Sequence, residues 1–175
     1  IVCLGSRRQD YFRGELMSTL KIIQRGDLDA EDLWGSWAGA FGHTQFMPST
    51  YLRLAVDGDG DGRRDLWTDW SDVFASVGNY LKENGWKAGE PVMVPADVTG
   101  ADLSGLDTTK SALTETVDSL RRRGVKFESS QPADAPAMLV SLARPFGAEY
   151  RVDFANFYAI TRYNRSVMYA MAVHQ

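Results

Sequence analysis

Between residues 57 and 65 aspartate alternates with glycine in the run Asp57-Gly58-Asp59-Gly60-Asp61-Gly62, and Asp65 follows four residues after Asp61. Residues of these two types in such density form tight turns, not helices or strands. A tight turn carrying three carboxylates either lies solvated at the surface or folds around a cation that offsets their mutual repulsion. The spacing matches the first half of an EF-hand loop. Side-chain oxygens stand at positions 1, 3 and 5, glycine at 6 makes the sharp turn, Arg63 at 7 offers its backbone carbonyl, and Asp65 at 9 serves as ligand or water-holder. The second half departs from that pattern, with Arg64 at the usually apolar position 8 and Thr68 where a bidentate glutamate normally closes the site. The closing carboxylate then comes from Asp69 or Asp72, and Asp72, at the start of the following helix, is the expected donor. The expected ligands are Asp57, Asp59, Asp61, Asp72 and the carbonyl of Arg63, holding Ca2+ in a structural role.

Helical spacing surrounds this loop. Residues 10–25 place Phe12, Leu16, Leu20 and Ile23 on one face, with Gly26 as a stop. Residues 34–47 contain Gly35, Gly39 and Gly42, each of which costs a helix up to about 1 kcal/mol relative to alanine. A helix there requires a neighbouring helix or a ligand that needs the missing side chains. Pro48 opens a helical turn carrying Tyr51, Leu52 and Leu54. A helix over 70–84 bears Val73, Phe74, Val77, Tyr80 and Leu81 on one face, ended by Asn84-Gly85.

From Pro91 the texture changes. Short apolar runs at 92–94, 125–127 and 138–142 alternate with turn residues as strands do, around a helix bearing Leu113, Val117 and Leu120 that ends at Gly124. After Asp153 helical spacing returns, with Asn164 a break between two short helices. The chain thus divides into residues 1–90, helical with the metal loop; 91–152, a small α/β insertion; and 153–175, a return to the helices. The fold class expected is α+β, mainly α.

Composition narrows the function. Apolar residues at 44% and charged residues at 24% suit one globular core, or a core with a small subdomain. A net charge of −4 argues against nucleic acid as a partner, since that affinity is supplied by clustered Lys and Arg. The basic cluster Arg121-Arg122-Arg123 ends a predicted helix, where cations favour the negative end of the macrodipole. Cys3 is the single cysteine, so no intrachain disulfide forms. The first residues lack the pattern of a signal peptide, and a chain opening on Ile1 is expected to be processed or truncated.

Several motifs together carry a family resemblance: residues 35–49 (Gly-Ser-Trp-Ala-Gly-Ala-Phe-Gly-His-Thr-Gln-Phe-Met-Pro-Ser), the Asp loop ending Asp65-Leu66-Trp67, then Asn79-Tyr80-Leu81, Gly85-Trp86, Ile160-Thr161-Arg162-Tyr163-Asn164 and Tyr169-Ala170-Met171-Ala172-Val173. In this order the sequence resembles the lytic transglycosylase B family of murein hydrolases, over essentially its whole length and most weakly from Pro91 to Arg151. The resemblance implies a lysozyme-like helical core with an EF-hand-type calcium loop, interrupted by a small α/β subdomain. It also implies that Ser36, Gln45, Tyr80, Tyr163, Asn164 and Tyr169 line a glycan groove. Amides and hydroxyls satisfy sugar hydroxyls and N-acetyl groups, and tyrosines offer flat apolar faces with a polar tip. Read without the family, Tyr80 and Tyr169 are core residues and Asn164 is a helix cap. Arg7 and Arg8 match a paired-arginine position of the family, near the groove or peptide carboxylates.

The reaction implied is unusual among glycosidases, which generally use two carboxylates. One glutamic acid protonates the bond between N-acetylmuramic acid and N-acetylglucosamine, and the muramoyl 6-hydroxyl attacks its own anomeric carbon, leaving a 1,6-anhydro product. In the family this glutamate precedes the paired arginines, and no equivalent stands in this sequence. Glu15 reads as an exposed helix residue, and Glu31 and Asp32 as loop or first-turn residues. No catalytic residue is therefore assigned, and the isolated chain is expected to be inactive. Implied partners are peptidoglycan glycan strands and cell-wall enzyme complexes, with the protein a monomer located in the periplasm and open to outer-membrane anchoring at full length. Two other readings compete: a non-catalytic peptidoglycan-binding module, and a purely structural calcium-stabilised domain.

Overall fold

A computed structural model describes residues 8–174. They form two compact units, divided between Tyr80 and Leu81. Helices α1 (Gln9–Arg25), α2 (Pro48–Leu54) and most of α3 (Trp70–Glu83) belong to the first; a short 3-10 turn, Ala30–Asp32, lies between α1 and α2. The second holds β1 (Met93–Ala96), β2 (Glu115–Thr116), α4 (Val117–Arg122), β3 (Pro136–Arg144), β4 (Gly147–Phe154), α5 (Ala155–Tyr163) and α6 (Val167–His174). The architecture is α+β and mainly α.

Helix α1 ends where Gly26 adopts φ 80° and returns its N–H to the Ile23 carbonyl. The face it buries is not the predicted one. Ile22 and Glu15 are buried, whereas Leu16 and Leu20 are 46% and 51% exposed. Leu16 and Leu20 of the apolar stripe thus face solvent while Phe12 and Ile23 are half-buried, and Glu15 makes a buried polar tie to α2 through Ser49. Pro48 opens α2 as predicted, at a position whose N–H would be unsatisfied in any case. In α3, Val73 is buried as expected, but Phe74 is 68% exposed.

The glycine-containing stretch 34–47 is not a helix. It folds back on itself through antiparallel bridges that pair Gly35 with Phe41 and Phe41 with Phe46. Gly42 holds φ 52°, and a Cβ there would collide with the Leu66 carbonyl oxygen and meet its carbon at 2.9 Å. The missing side chain serves close backbone approach, since the next residue, His43, donates its N–H to that same Leu66 oxygen at 2.8 Å. Gly42→Ala should therefore destabilise the fold by about 1–3 kcal/mol through strain and displacement of Leu66. An unchanged urea midpoint for this variant would show that the turn at Leu66 yields freely.

In the second unit the sheet order is β1-β4-β3-β2, all antiparallel. One face carries Met138, Val140 and Leu142 against Phe157, Ile160, Ala170 and Met171, joined by Val92 and Met93; the other carries Ala137, Leu139, Val152 and Phe154 against Val117, Leu120 and Val125. Residues 125–127, read as a strand, contribute only a bridge between Asp97 and Lys126. Their backbone turns back directly after α4, where the Val125 N–H is returned to the Leu120 carbonyl. Leu113 lies outside α4, which starts at Val117 under a capping box between Thr116 and Ser119. Asn164 caps α5 as the sequence reading without the family had it, and the Ser166 hydroxyl accepts the Tyr169 N–H to start α6.

Candidate functional site

The Asp loop is organised by its own backbone. Asp57 Oδ1 accepts from Gly60 N–H at 2.6 Å and Oδ2 from Gly62 N–H at 2.8 Å, while Asp59 and Asp61 accept from the N–H groups of Asp61 and Arg63 at 3.1 and 2.7 Å. Gly62 makes the sharp turn at φ 93°, a left-handed conformation that suits glycine. From α3, Asp72, 1% exposed, accepts from Gly58 N–H at 2.6 Å and from Asp65 N–H at 2.5 Å, so one carboxylate ties both ends of the loop.

Of the two closing carboxylates considered, Asp72 joins the cluster. Oxygen atoms of Asp57, Asp59 and Asp72 lie within 4.8 Å of one another. Asp69 instead caps the start of α3, accepting from Ser71 N–H at 2.6 Å and Asp72 N–H at 3.1 Å. Asp65 is likewise spent on a turn, accepting from Trp67 and Thr68 N–H and from the Thr68 hydroxyl. The Asp61 carboxylate lies outside the three-residue group, although its backbone is part of the same turn.

The electrostatics fit a cation-binding cluster. Asp57 is held below the usual carboxylate range, chiefly by the hydrogen bond from Gly62 N–H. Asp59 is raised despite the hydrogen bond from Asp61 N–H, because desolvation and repulsion from Asp61, Asp69 and Asp72 outweigh it. An all-oxygen donor set with several carboxylates suits a hard divalent ion.

Arg64, at the anomalous loop position 8, reaches back to Asp27 through Nε at 3.1 Å and through Nη2, in a fork geometry suited to a carboxylate. Its carbonyl accepts the Tyr51 hydroxyl, and its guanidinium lies 5.1 Å from the Tyr51 ring centre. Burial, then the Asp27 charge, push the Tyr51 hydroxyl up, which keeps it a donor. No pattern in the sequence announced this anchor beyond the charge at position 8.

The six groove residues expected from the resemblance divide equally between the units. In the first, the Ser36 hydroxyl accepts Ala40 N–H at 3.1 Å within a turn. Gln45, exposed, holds φ 52°, and its Nε2 donates to the Gly42 carbonyl at 2.8 Å. The half-buried Tyr80 ring lies 5.5 Å from that of Phe46. In the second, Tyr163 is the last residue of α5, Asn164 Oδ1 accepts Ser166 N–H at 3.0 Å, and Tyr169 is 37% exposed on α6. Arg8 stacks 4.7 Å over Tyr11, and Arg7 and Cys3 lie outside the described residues. A cleft of about 910 Å³ between residues 94–97 and 121–128 holds none of the six.

Glu15 is not the exposed residue expected. It is 7% exposed, and both its oxygens accept from Ser49, from the N–H at 2.8 Å and the hydroxyl at 2.7 Å. The other buried acids among the described residues are Asp27, Asp72 and Asp153. Asp27 binds Arg64, Asp72 binds the loop backbone, and Asp153 sits between Met93 and Met138 in the sheet.

A family profile described as Transglycosylase SLT domain matches residues 2–175. The chain is 40% identical over 169 residues to the membrane-bound lytic murein transglycosylase B of Escherichia coli, covering 97% of this chain and 45% of that protein. It is similar to the E. coli lytic transglycosylase Slt35, solved in complex with calcium, with TM-score 0.84 and 39% identity, covering 98% of this chain and 54% of that one. SltB3 from Pseudomonas aeruginosa, solved in complex with NAG-anhNAM-pentapeptide, gives TM-score 0.80 and 36% identity over 98% of this chain and 46% of its own. The architecture is therefore that of the lysozyme-like lytic transglycosylases. The chain belongs to the transglycosylase SLT domain family, and it spans about half the length of these relatives.

Proposed function

We propose that this chain is the glycan-holding, metal-bearing part of a peptidoglycan lytic transglycosylase, whose whole protein cleaves the MurNAc-β-1,4-GlcNAc bond with formation of 1,6-anhydroMurNAc. The observation that carries the reading is the match to the family along residues 2–175, unbroken by the α/β insertion. Ser36, Gln45 and Tyr80 in the first unit, and Tyr163, Asn164 and Tyr169 in the second, contact glycan through amide, hydroxyl and ring faces. Calcium is held by Asp57, Asp59, Asp61, Asp72 and the Arg63 carbonyl, in a structural role supported by the converging carboxylates of Asp57, Asp59 and Asp72. Such an ion neutralises the loop and fixes it to α3. The substrate class places the protein in the periplasm, acting as a monomer on glycan strands alongside other cell-wall enzymes. Among the described residues no helix is long and apolar enough to cross a membrane.

A second reading, binding without cleavage, is favoured for the isolated chain by the commitments of its buried acids. Glu15 is buried with both its oxygens engaged by Ser49, so its carboxyl is committed within the fold. Incubated with purified sacculi, the 175-residue chain should sediment with them and release no anhydromuropeptides. Release detected by mass spectrometry would assign the acid to this chain. Failure to sediment, with no binding of a GlcNAc-MurNAc disaccharide, would sink the glycan reading.

A further inference from the structure

Gln45 is the non-glycine residue with positive φ among the described residues, at 52°. A left-handed conformation at such a residue costs on the order of 1–3 kcal/mol and persists only where its surroundings over-determine it. On its N-terminal side the turn is fixed by His43 N–H to Leu66 O at 2.8 Å and by Phe41 N–H to Phe46 O at 2.7 Å. The Gln45 side chain adds its own bond to Gly42 O, which uses one of its two amide N–H groups and leaves the other N–H and the amide oxygen for a ligand.

The C-terminal side runs into α2, a seven-residue helix whose N-cap residue, Met47, provides no side-chain hydrogen bond. The missing acceptor arrives from 34 residues away. Glu15, on α1, takes both the N–H and the hydroxyl of Ser49, the second residue of α2. A serine or aspartate at position 47 would cap α2 at far lower cost than burying a carboxylate. Such a local cap would not, however, fix where the helix start stands relative to α1. The Glu15 tie does, four residues beyond Gln45.

We infer that Glu15 is a positioning residue, holding the start of α2 so that the Gln45 turn keeps its left-handed conformation and presents its side-chain amide to glycan. This rests on the reading of Gln45 as a glycan contact.

The test separates position from stability. Four variants of the chain, Glu15→Ala, Glu15→Gln, Glu15→Ala combined with Met47→Asp, and Gln45→Ala, are compared for melting temperature, binding of a GlcNAc-anhydroMurNAc disaccharide, and the Gln45 HN–Hα coupling, which follows φ. Glu15→Ala should lower the melting temperature, move the coupling and weaken binding about tenfold, the scale of one lost hydrogen bond to a ligand. Met47→Asp in that background should restore melting by capping α2 locally, yet leave the coupling shifted and the binding weak. Glu15→Gln keeps an acceptor for Ser49 N–H and should retain most binding, with the coupling close to that of the parent. A Gln45 coupling unchanged in Glu15→Ala, or in the double variant if Glu15→Ala does not fold, or binding that returns together with melting in the double variant, overturns the inference. Undiminished binding by Gln45→Ala overturns instead the glycan role of Gln45, and the coupling still decides whether Glu15 sets the turn.

Discussion

Adding calcium should raise the melting temperature of this chain by about 10 °C, and a chelator should reverse the gain. The estimate follows from mass action. An ion present at a thousand times its dissociation constant stabilises the folded state by about 4 kcal/mol, and each kcal/mol moves the transition of a chain this long by roughly 2–4 °C. The oxygens of Asp57, Asp59 and Asp72 that lie within 4.8 Å repel one another until a cation stands among them. Magnesium should substitute poorly, because it demands a smaller octahedral shell and gives up water reluctantly. The discriminating variant is Asp72→Asn, which keeps an acceptor for one of the two N–H groups of Gly58 and Asp65 that Asp72 now binds, while removing its charge. It should melt somewhat below the parent in chelator and lose most of the calcium-dependent gain. Scanning calorimetry with calcium, magnesium and EGTA gives all three comparisons, and a parent curve indifferent to calcium would remove the metal from the proposal.

Replacing Asp153 should stabilise the second unit at neutral pH. Asp153 lies on β4 in register with Met93 and Met138, is 1% exposed, and its Oδ1 has no hydrogen-bond partner. Burial pushes its carboxyl up to about 7, against a small opposing effect of Arg151 two residues along the strand. The sign follows from linkage. With the folded value above the unfolded one, its contribution is fully present below the ordinary 3.8 and is lost as pH rises toward about 7. At about 1.4 kcal/mol per unit, the loss is on the order of a few kcal/mol. Asp153→Asn does not titrate, so the stability difference, variant minus parent, should grow by that amount between pH 4 and pH 8. Denaturant unfolding at several pH values measures it, and a difference constant with pH would mean that water or a backbone shift solvates the carboxylate.

The legible parts of this molecule are those in which a few adjacent residues dictate their own geometry. The Asp-Gly run, Pro48 at a helix start, Gly26 and Gly85 at helix ends, and Asn164 at a break all act locally, and all stand where the sequence placed them. Asp72 was reachable by elimination, because a cation loop short of a closing carboxylate must borrow one nearby. The misreadings arise where distant segments decide. Gly42 looked like one member of a helical triad, but it is small because the Leu66 carbonyl, 24 residues on, presses against it. Leu16 and Leu20 belonged to the apolar stripe of α1, yet they are exposed while Glu15 is enclosed and bonded to Ser49, and periodicity has no means of signalling a polar tie of that kind. Strand β4 was hidden because Glu149, Arg151 and Asp153 occupy alternate positions of its length. Those residues share a face with buried Met138, Val140 and Leu142 of β3, so no apolar run marks the strand. The proposed glycan contacts were legible only through the family, since a tyrosine in an apolar helix looks the same whether it packs or binds.

The order of the strands bears on how this protein behaves when crowded. Its sheet ends at β2, which offers two residues, and at β1, where Pro95 withholds one of four amide donors. The long, regular strands β3 and β4 are enclosed between these margins. A neighbouring polypeptide approaching side-on meets too short or too interrupted a row of free donors and acceptors to extend it, so the apolar centre of the sheet is shielded from strand-by-strand self-association.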